Sequence, residues 1–412
     1  MIVFYIIYGI LIFTILFGLY IFILTSIKKN DKPYLVSRKK PENICFLLPA
    51  RNESKVIGRL LQTIKDQDYE VNMEDVYVIV EDINDPSVDI AKEMGASYFV
   101  RKKLDLKSKG YALMEAVEDI YAKGKHYDMY FIFDADNILD KSFVKEMVNS
   151  YMKGYDYALG YRKSTNFSHN RISIASTLLF ALINDICNTI RKKSNKAMIV
   201  TGTGFYMSGE ILDKHKTFPW HLLTEDYEFS IYAILNQLKS EYNMNAIYYD
   251  EQPTEFKTSI KQRTRWCAGF LQARNANRKM MWKKKNLDAA TYTEFWGIKP
   301  FIIMLSAAFL IWITALVGLI YCLNTGNSIK FSVIILAGVP ILYYLVLVIM
   351  SLYLLLVNKK KMHIRKREVF KTLGYMPVFF TSFFYCYFKG LFFKVGWDEI
   401  KHDGETDNSV NK

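Results

Sequence analysis

Apolar positions are distributed in two distinct ways along the 412-residue chain. Three blocks, Met1 to Ile27, Pro300 to Ile329 and Phe331 to Val357, contain no charged residue. Each is long enough to cross a hydrocarbon core of about 30 Å. Between Lys28 and Lys299 short apolar runs are instead mixed with charge. Ile44 to Leu48, Val76 to Val80 and Met129 to Phe133 have strand length, the first two being rich in β-branched and aliphatic residues. Val56, Leu60, Leu61 and Ile64 form a helical face after the first run, and Ala112, Ala116, Val117 and Ile120 form one before the third. This alternation predicts an α/β domain with a doubly wound, mostly parallel sheet. Ligands of such sheets sit outside the carboxyl ends of the strands.

The first apolar block starts without a basic n-region and lacks a small-x-small site before Lys28, so it reads as a retained transmembrane helix. Six basic residues lie in Lys28 to Lys40 and six more in Lys359 to Arg367, both beside apolar spans. The positive-inside rule puts both clusters in the cytoplasm. The N-terminus is then outside, and spans near Phe301 to Leu323 and Ser332 to Val357 are joined outside by Asn324 to Asn327. Val369 to Phe393 carries Lys371, Lys389 and Pro377 and suits either a kinked span or an interfacial helix. The expected plan is a transmembrane helix at 1–27, a cytoplasmic α/β domain at 41–285, membrane and interfacial helices at 286–393 and a polar tail at 394–412. Such a chain is a multi-pass protein of the cell membrane.

The net charge of +13 is accounted for by these flanks. No nucleic-acid motif accompanies them, so nucleic acid is not expected as a partner. Five scattered cysteines, none in a C-x-x-C pair, argue against a disulfide framework or structural zinc. Without an H-x-x-x-H spacing, any metal should be held by oxygens. There is no G-x-x-x-x-G-K-[ST] loop, and Gly202-Thr203-Gly204 does not complete a dinucleotide fingerprint.

Polar chemistry concentrates where the strands are predicted to end: Pro49 to Ser54 after the first, Glu81 to Asp85 after the second, Asp134 to Asn137 after the third. Asp and Asn at such points also serve as turn and cap residues. Asp134 and Asp136 stand apart, because two carboxylates one residue apart at a buried strand end repel unless a cation lies between them, and oxygen donors suit Mg²⁺ or Mn²⁺. Thr224-Glu225-Asp226 opens a helical pattern, where an N-cap Thr with acids in the first turn is a sufficient structural account. In Gln262-Arg263-Thr264-Arg265-Trp266, a planar cation beside an indole suits phosphate oxygens and a sugar face.

In their order along the chain these segments resemble the membrane-embedded family 2 glycosyltransferases, the group of cellulose, hyaluronan, chitin-oligosaccharide and poly-N-acetylglucosamine synthases. The likeness rests on Ala50-Arg51-Asn52-Glu53, Asp82, Lys109-Gly110-Tyr111-Ala112-Leu113, Asp134-Ala135-Asp136, Gly202-Thr203-Gly204-Phe205, Thr224-Glu225-Asp226 and the Q-x-x-R-W of Gln262 to Trp266. It implies a GT-A fold and inverting transfer from a nucleotide sugar, usually a UDP-sugar, with Mg²⁺ or Mn²⁺. Asp82 then corresponds to the residue at the base, Asp136 assisted by Asp134 to the metal ligand, and Asp226 to the general base. Asn52, Glu53 and Lys109 fall with the nucleotide-sugar site. Glu225, Gln262, Arg265 and Trp266 fall with the diphosphate and the acceptor sugar. The resemblance further implies a growing β-linked glycan as acceptor, with a lipid acceptor as the alternative. With so few spans, a second copy or an accessory membrane protein is an expected partner. At the second strand the chain reads Glu81-Asp82-Ile83-Asn84-Asp85-Pro86, where the family commonly has paired Asp followed by Gly or Asn and Ser or Thr. Trp397 to His402 resembles a tail segment of relatives only loosely and is given no role.

Overall fold

Strand runs without polar alternation need cover on both faces, and the first two strands have it. A computed structural model describes residues 28–284, 288–289, 299–359 and 365–396, together with Gly9 and Tyr20. The helix expected at 1–27, most of 286–298 and the tail from 397 onward, including Trp397, lie outside the described residues. Strands β1 (Ile44–Pro49), β2 (Val76–Val80), β3 (Ser97–Val100), β4 (Met129–Ile132), β5 (Ile138–Leu139), β6 (Tyr157–Ser164), β7 (Phe205–Ser208) and β8 (Ser240–Asp250) form one sheet. Their order is β3-β2-β1-β4-β7-β6-β8-β5.

Helices α1 (Ile57–Lys65), α2 (Pro86–Glu93), α3 (Lys109–Ala122) and α4 (Phe143–Met152) link the early strands. Phe46 and Leu48 pack with Leu60, Ile64 and Val144 on one face, while Leu47 and Ile79 pack with Leu113 and Val117 on the other. β3, β2, β1 and β4 run parallel, and the apolar runs predicted β2, β1 and β4 among them. Beyond β4 the sheet is mixed: β7 is antiparallel to both neighbours, β6 parallel to β8, and β5 antiparallel to β8. β6 and β8 carry Arg162, Lys163, Asn243 and Asn245, and β5 and β7 are two and four residues long, so no apolar run of strand length announces them. Edge strand β3 is four residues long with Tyr98 exposed, and it too escapes an apolar-run criterion.

From β6 onward the chain adds α5 (Arg171–Ala181), a π-helical turn (Leu182–Asn188), α6 (Thr189–Lys193), α7 (Gly209–Asp213), α8 (Glu225–Leu235) and α9 (Phe256–Lys283). Then come α10 (Lys299–Thr325), α11 (Lys330–Asn358), α12 (Lys366–Leu373) and α13 (Met376–Phe392). Among the described residues, three helical stretches are long and apolar enough to cross a membrane: Arg171–Lys193, Leu305–Thr325 and Lys330–Asn358. The last two coincide with the expected spans and are only 17% and 6% buried within the protein, leaving apolar flanks uncovered. The first is 67% buried, so its apolar character is mostly met by protein.

Val369 to Phe393 resolves into α12 and α13, separated at Gly374 and Tyr375. α13 lies against α9, α10 and α11. Arg263 ties the first of these contacts, donating to the Phe379 carbonyl at 2.9 Å and to Ser382 Oγ at 2.6 Å, with its guanidinium over the Phe379 and Phe383 rings. The basic Lys28 to Lys40 stretch is not wholly left for lipid. Arg38 bonds the Tyr155 carbonyl and pairs with Asp156 and Glu210 of the α/β domain.

Candidate functional site

A cavity of about 260 Å³ opens at the carboxyl ends of β1, β2 and β4. Its lining divides by element: Asp134 and Asp136 follow β4 and, with Lys109 bonded to Asp134, make a strand-built wall, while Glu225, Asp226, Arg265 and Trp266 stand on helices and make a helix-built wall.

The strand-built wall is held together by two short polar residues. Asp134 N–H donates to Thr203 Oγ1 at 2.9 Å, and that hydroxyl donates to Asn137 Oδ1. Asn137 Nδ2 then donates to Asp136 Oδ1 at 3.3 Å and to Asp250 Oδ1 at 2.9 Å. Asp250 ends β8, which pairs with β5 and so returns to the residues just after Asp136. The result is three carboxylates, Asp134, Asp136 and Asp250, each offering an oxygen within 4.8 Å of the others. An all-oxygen set of this size fits a divalent cation such as Mg²⁺ or Mn²⁺. Two cations already oppose their charge: Lys109 Nζ reaches Asp134 Oδ1 at 2.5 Å, and Arg162 pairs with Asp250.

Lys109 also bridges the walls. Standing at the start of α3, it donates to the Gly202 carbonyl at 2.8 Å and lies 3.8 Å from Glu225 Oε1. Burial works against its charge, yet Asp134 and Glu225 hold it above the ordinary lysine value. This position depends on Gly110, where a Cβ would come within 2.3 Å of the Trp220 carbonyl oxygen.

Glu225 and Asp226 form the first turn of α8. Burial raises Glu225 above the usual carboxylate range, with Lys109 opposing and Asp226 adding to the shift. Burial likewise raises Asp226, against a backbone N–H, Lys109 and Arg265, while Asp134 adds to it. Thr224 occupies the N-cap position, but its hydroxyl makes no capping bond, contrary to the sequence expectation. The hydroxyl is turned toward α9 instead: at Gly269 an added Cβ would stand 2.4 Å from Thr224 Oγ1, so the two segments meet at contact distance. Arg265 donates to the Leu223 carbonyl at 3.2 Å, which keeps the Gln262 to Trp266 turn beside the head of α8. Trp266 meets Phe180 of α5 edge-on at 5.5 Å. Ile183 and Cys187 of the π turn, with Ile199 and Phe270, make the rest of this end apolar.

Of the residues singled out in the sequence, Glu53, Lys109, Asp134, Asp136, Glu225, Asp226, Gln262, Arg265 and Trp266 line this one cavity. Asn52 and Asp82 do not line it. Asn52 is exposed at φ 58°, with its N–H on Asp85 Oδ2. Asp82 is exposed and accepts from the Asn84 backbone and side chain. Its neighbour Glu81 takes the cavity position, with Oε1 held by Arg101 at 3.1 Å and Oε2 by Arg51 at 3.0 Å. Sequence reasoning passed over Asp250, Arg162 and Glu81. An acid at a strand end was the available signal for Asp250, but β8 was not recognised as a strand. For Arg162 no local signal exists.

Comparison with known proteins converges on this architecture. The model for the family described as glycosyltransferase-like family 2 matches residues 41–269. The probable glycosyltransferase YdaM of Bacillus subtilis (strain 168) is 25% identical over 253 residues, a match that spans 59% of this chain and 59% of that protein. Among solved structures, the mannosyltransferase PcManGT from Pyrobaculum calidifontis, in complex with GDP-Man and Mn²⁺, superposes over 93% of this chain and 95% of its own at a TM-score of 0.51, with 13% identity. That likeness is one of fold, a Rossmann-like GT-A sheet. With a family match over more than half its length, this chain belongs to glycosyltransferase family 2.

Proposed function

We propose that this protein builds a β-linked glycan at the membrane, transferring sugars with inversion from a UDP-sugar to an acceptor whose terminal ring rests on Trp266. The observation that carries the reading is that Asp226 and Trp266 line the same cavity as Asp134, Asp136 and Lys109. Asp226 takes the proton of the acceptor hydroxyl as that oxygen attacks the anomeric carbon, and the bond to the diphosphate breaks on the opposite side. Its raised pKa suits a base more than that of a free aspartate. Lys109 and Arg265, both lining the cavity, oppose the charge that develops on the departing diphosphate. Asp134, Asp136 and Asp250 would hold a Mg²⁺ or Mn²⁺ ion, which supplies Lewis-acid stabilisation of that charge when bound.

The base is assigned to the end of β2, where Arg51, Glu81 and Arg101 line the cavity and are ion-paired with one another. Glu81 thereby takes the part assigned to Asp82 by the family likeness. The α/β domain faces the cytoplasm, where nucleotide sugars are made, and α10 and α11 cross the bilayer.

A lipid-borne acceptor is the second reading, favoured by the apolar end made of Phe180, Ile183, Cys187, Ile199 and Phe270. Membranes containing the protein, given a panel of labelled nucleotide sugars at saturation, separate the two. A size ladder or high polymer is expected. Singly glycosylated lipid alone would replace the polymerase with the lipid glycosyltransferase, and no transfer from any nucleotide sugar would remove both.

A further inference from the structure

Arg162, in β6, makes a second contact between the two walls of the cavity, in addition to Lys109. Its side chain is only 9% exposed, and it lines the cavity. Nε donates to Asp250 Oδ2 at 3.1 Å, and Nη2 donates to the same oxygen. Nη1 donates at 3.0 Å to the carbonyl of Thr201, one residue before the carbonyl that receives Lys109. The face of the same guanidinium lies 3.6 Å from the centroid of Phe180. Phe180 in turn meets Trp266 at 73°. A guanidinium does both things at once because its N–H bonds radiate within a plane, leaving the face for an aromatic ring. Lysine would keep the charge beside Asp250 but has no plane to lay on Phe180.

We propose that Arg162 is a positioning residue that registers the two halves of the site, holding Asp250 in the carboxylate triad and setting Trp266 through Phe180. It rests on the reading of Trp266 as the platform for the acceptor. Nothing in Arg162 itself needs to touch the reacting atoms. Its in-plane bonds orient the strand-built wall, its face orients the helix-built wall, and a shift of either is passed to the other.

The test uses the full-length protein in nanodiscs, labelled with 5-fluorotryptophan, with the Trp266 resonance identified by its loss in Trp266→Phe. Arg162→Lys and Phe180→Leu are each expected to displace that resonance, and the double variant to displace it no further than the larger single change. Affinity for Mn²⁺ alone, read from the electron paramagnetic resonance of the free ion, should stay within about threefold in Phe180→Leu and fall about tenfold in Arg162→Met. If Arg162→Met does not fold, the Lys and Leu variants decide the matter. A Trp266 resonance unmoved by Arg162→Lys, or displacements that simply sum in the double variant, would overturn the coupling. Failure of the underlying reading looks different: Trp266→Ala would then leave transfer unchanged, whatever the fluorine resonance does.

Discussion

At one end of the cavity the carboxylates of Asp134, Asp136 and Asp250 follow strands of a single sheet. At the other end Glu225, Arg265 and Trp266 stand on helices α8 and α9, which close on each other at Thr224 and Gly269. Backbone hydrogen bonds fix the spacing of neighbouring strands, so groups at their ends are brought together by the ladder itself. Helix pairs have no such ladder, and their register depends on how closely particular side chains let them approach. The strand-built end should therefore be governed by the chemistry of its own residues. The helix-built end is also exposed to changes in α13, because Arg263 joins α9 to it. Arg263 and Arg265 illustrate the division. Two residues apart on a helix, they lie about 200° apart around its axis, one bonded to α13 and the other facing the cavity.

The largest effects should come from removing the central group of each end. Asp136→Ala should lower transfer roughly 10³-fold or more with loss of the response to Mn²⁺. Asp226→Asn should lower it by about 10²- to 10⁴-fold while nucleotide-sugar binding persists, measured by calorimetry on the purified protein. Because burial raises Asp226, and a base must be deprotonated, activity should fall with decreasing pH through a limb lying above the ordinary carboxylate range. A limb at the pH of a free aspartate would remove Asp226 from the role.

A sharper contrast comes from Gly269→Ala. The added methyl overlaps Thr224 and should cost about 1 to 3 kcal/mol in displaced helix packing. Acceptor transfer should drop while Mn²⁺ binding at the triad stays intact, and Thr224→Ala placed with it should restore much of the loss. Equal damage to both ends would mean that they are not separately built.

Trp266→Ala should raise the acceptor KM by about tenfold, the scale of one lost aromatic contact, without altering nucleotide binding. Shorter products at unchanged donor affinity would fit the same role.

The smallest expected effect distinguishes adjacent acids at the base. Glu81→Gln should weaken binding of UDP several-fold, on the order of one charge-assisted hydrogen bond, whereas Asp82→Asn should change it less than about twofold, since Asp82 only closes a turn. The opposite ranking would return the base contact to Asp82.

Much of the strand-built end was legible before any coordinates. Apolar runs at strand length and the acids that follow them located β1, β2 and β4 and put Asp134 and Asp136 together, because strand and following turn are local in sequence. The charge-free blocks marked α10 and α11 for the same reason: length and apolarity are properties of a contiguous segment. The family likeness brought in Asp226, Arg265 and Trp266, which pattern alone would have left as a helix cap and an amphipathic turn. Tertiary structure alone decided the remainder. Asp250 joins the triad through β8, whose mixed polar sequence hides it among loops. Glu81 rather than Asp82 lines the cavity because the chain bends just past β2, and only the folded chain says which of the two neighbours turns inward. Arg162 joins Asp250, Thr201 and Phe180 from sequence distances of 88, 39 and 18 residues. Contacts of that span are set by how the sheet and helices pack, and no window of the sequence contains both partners.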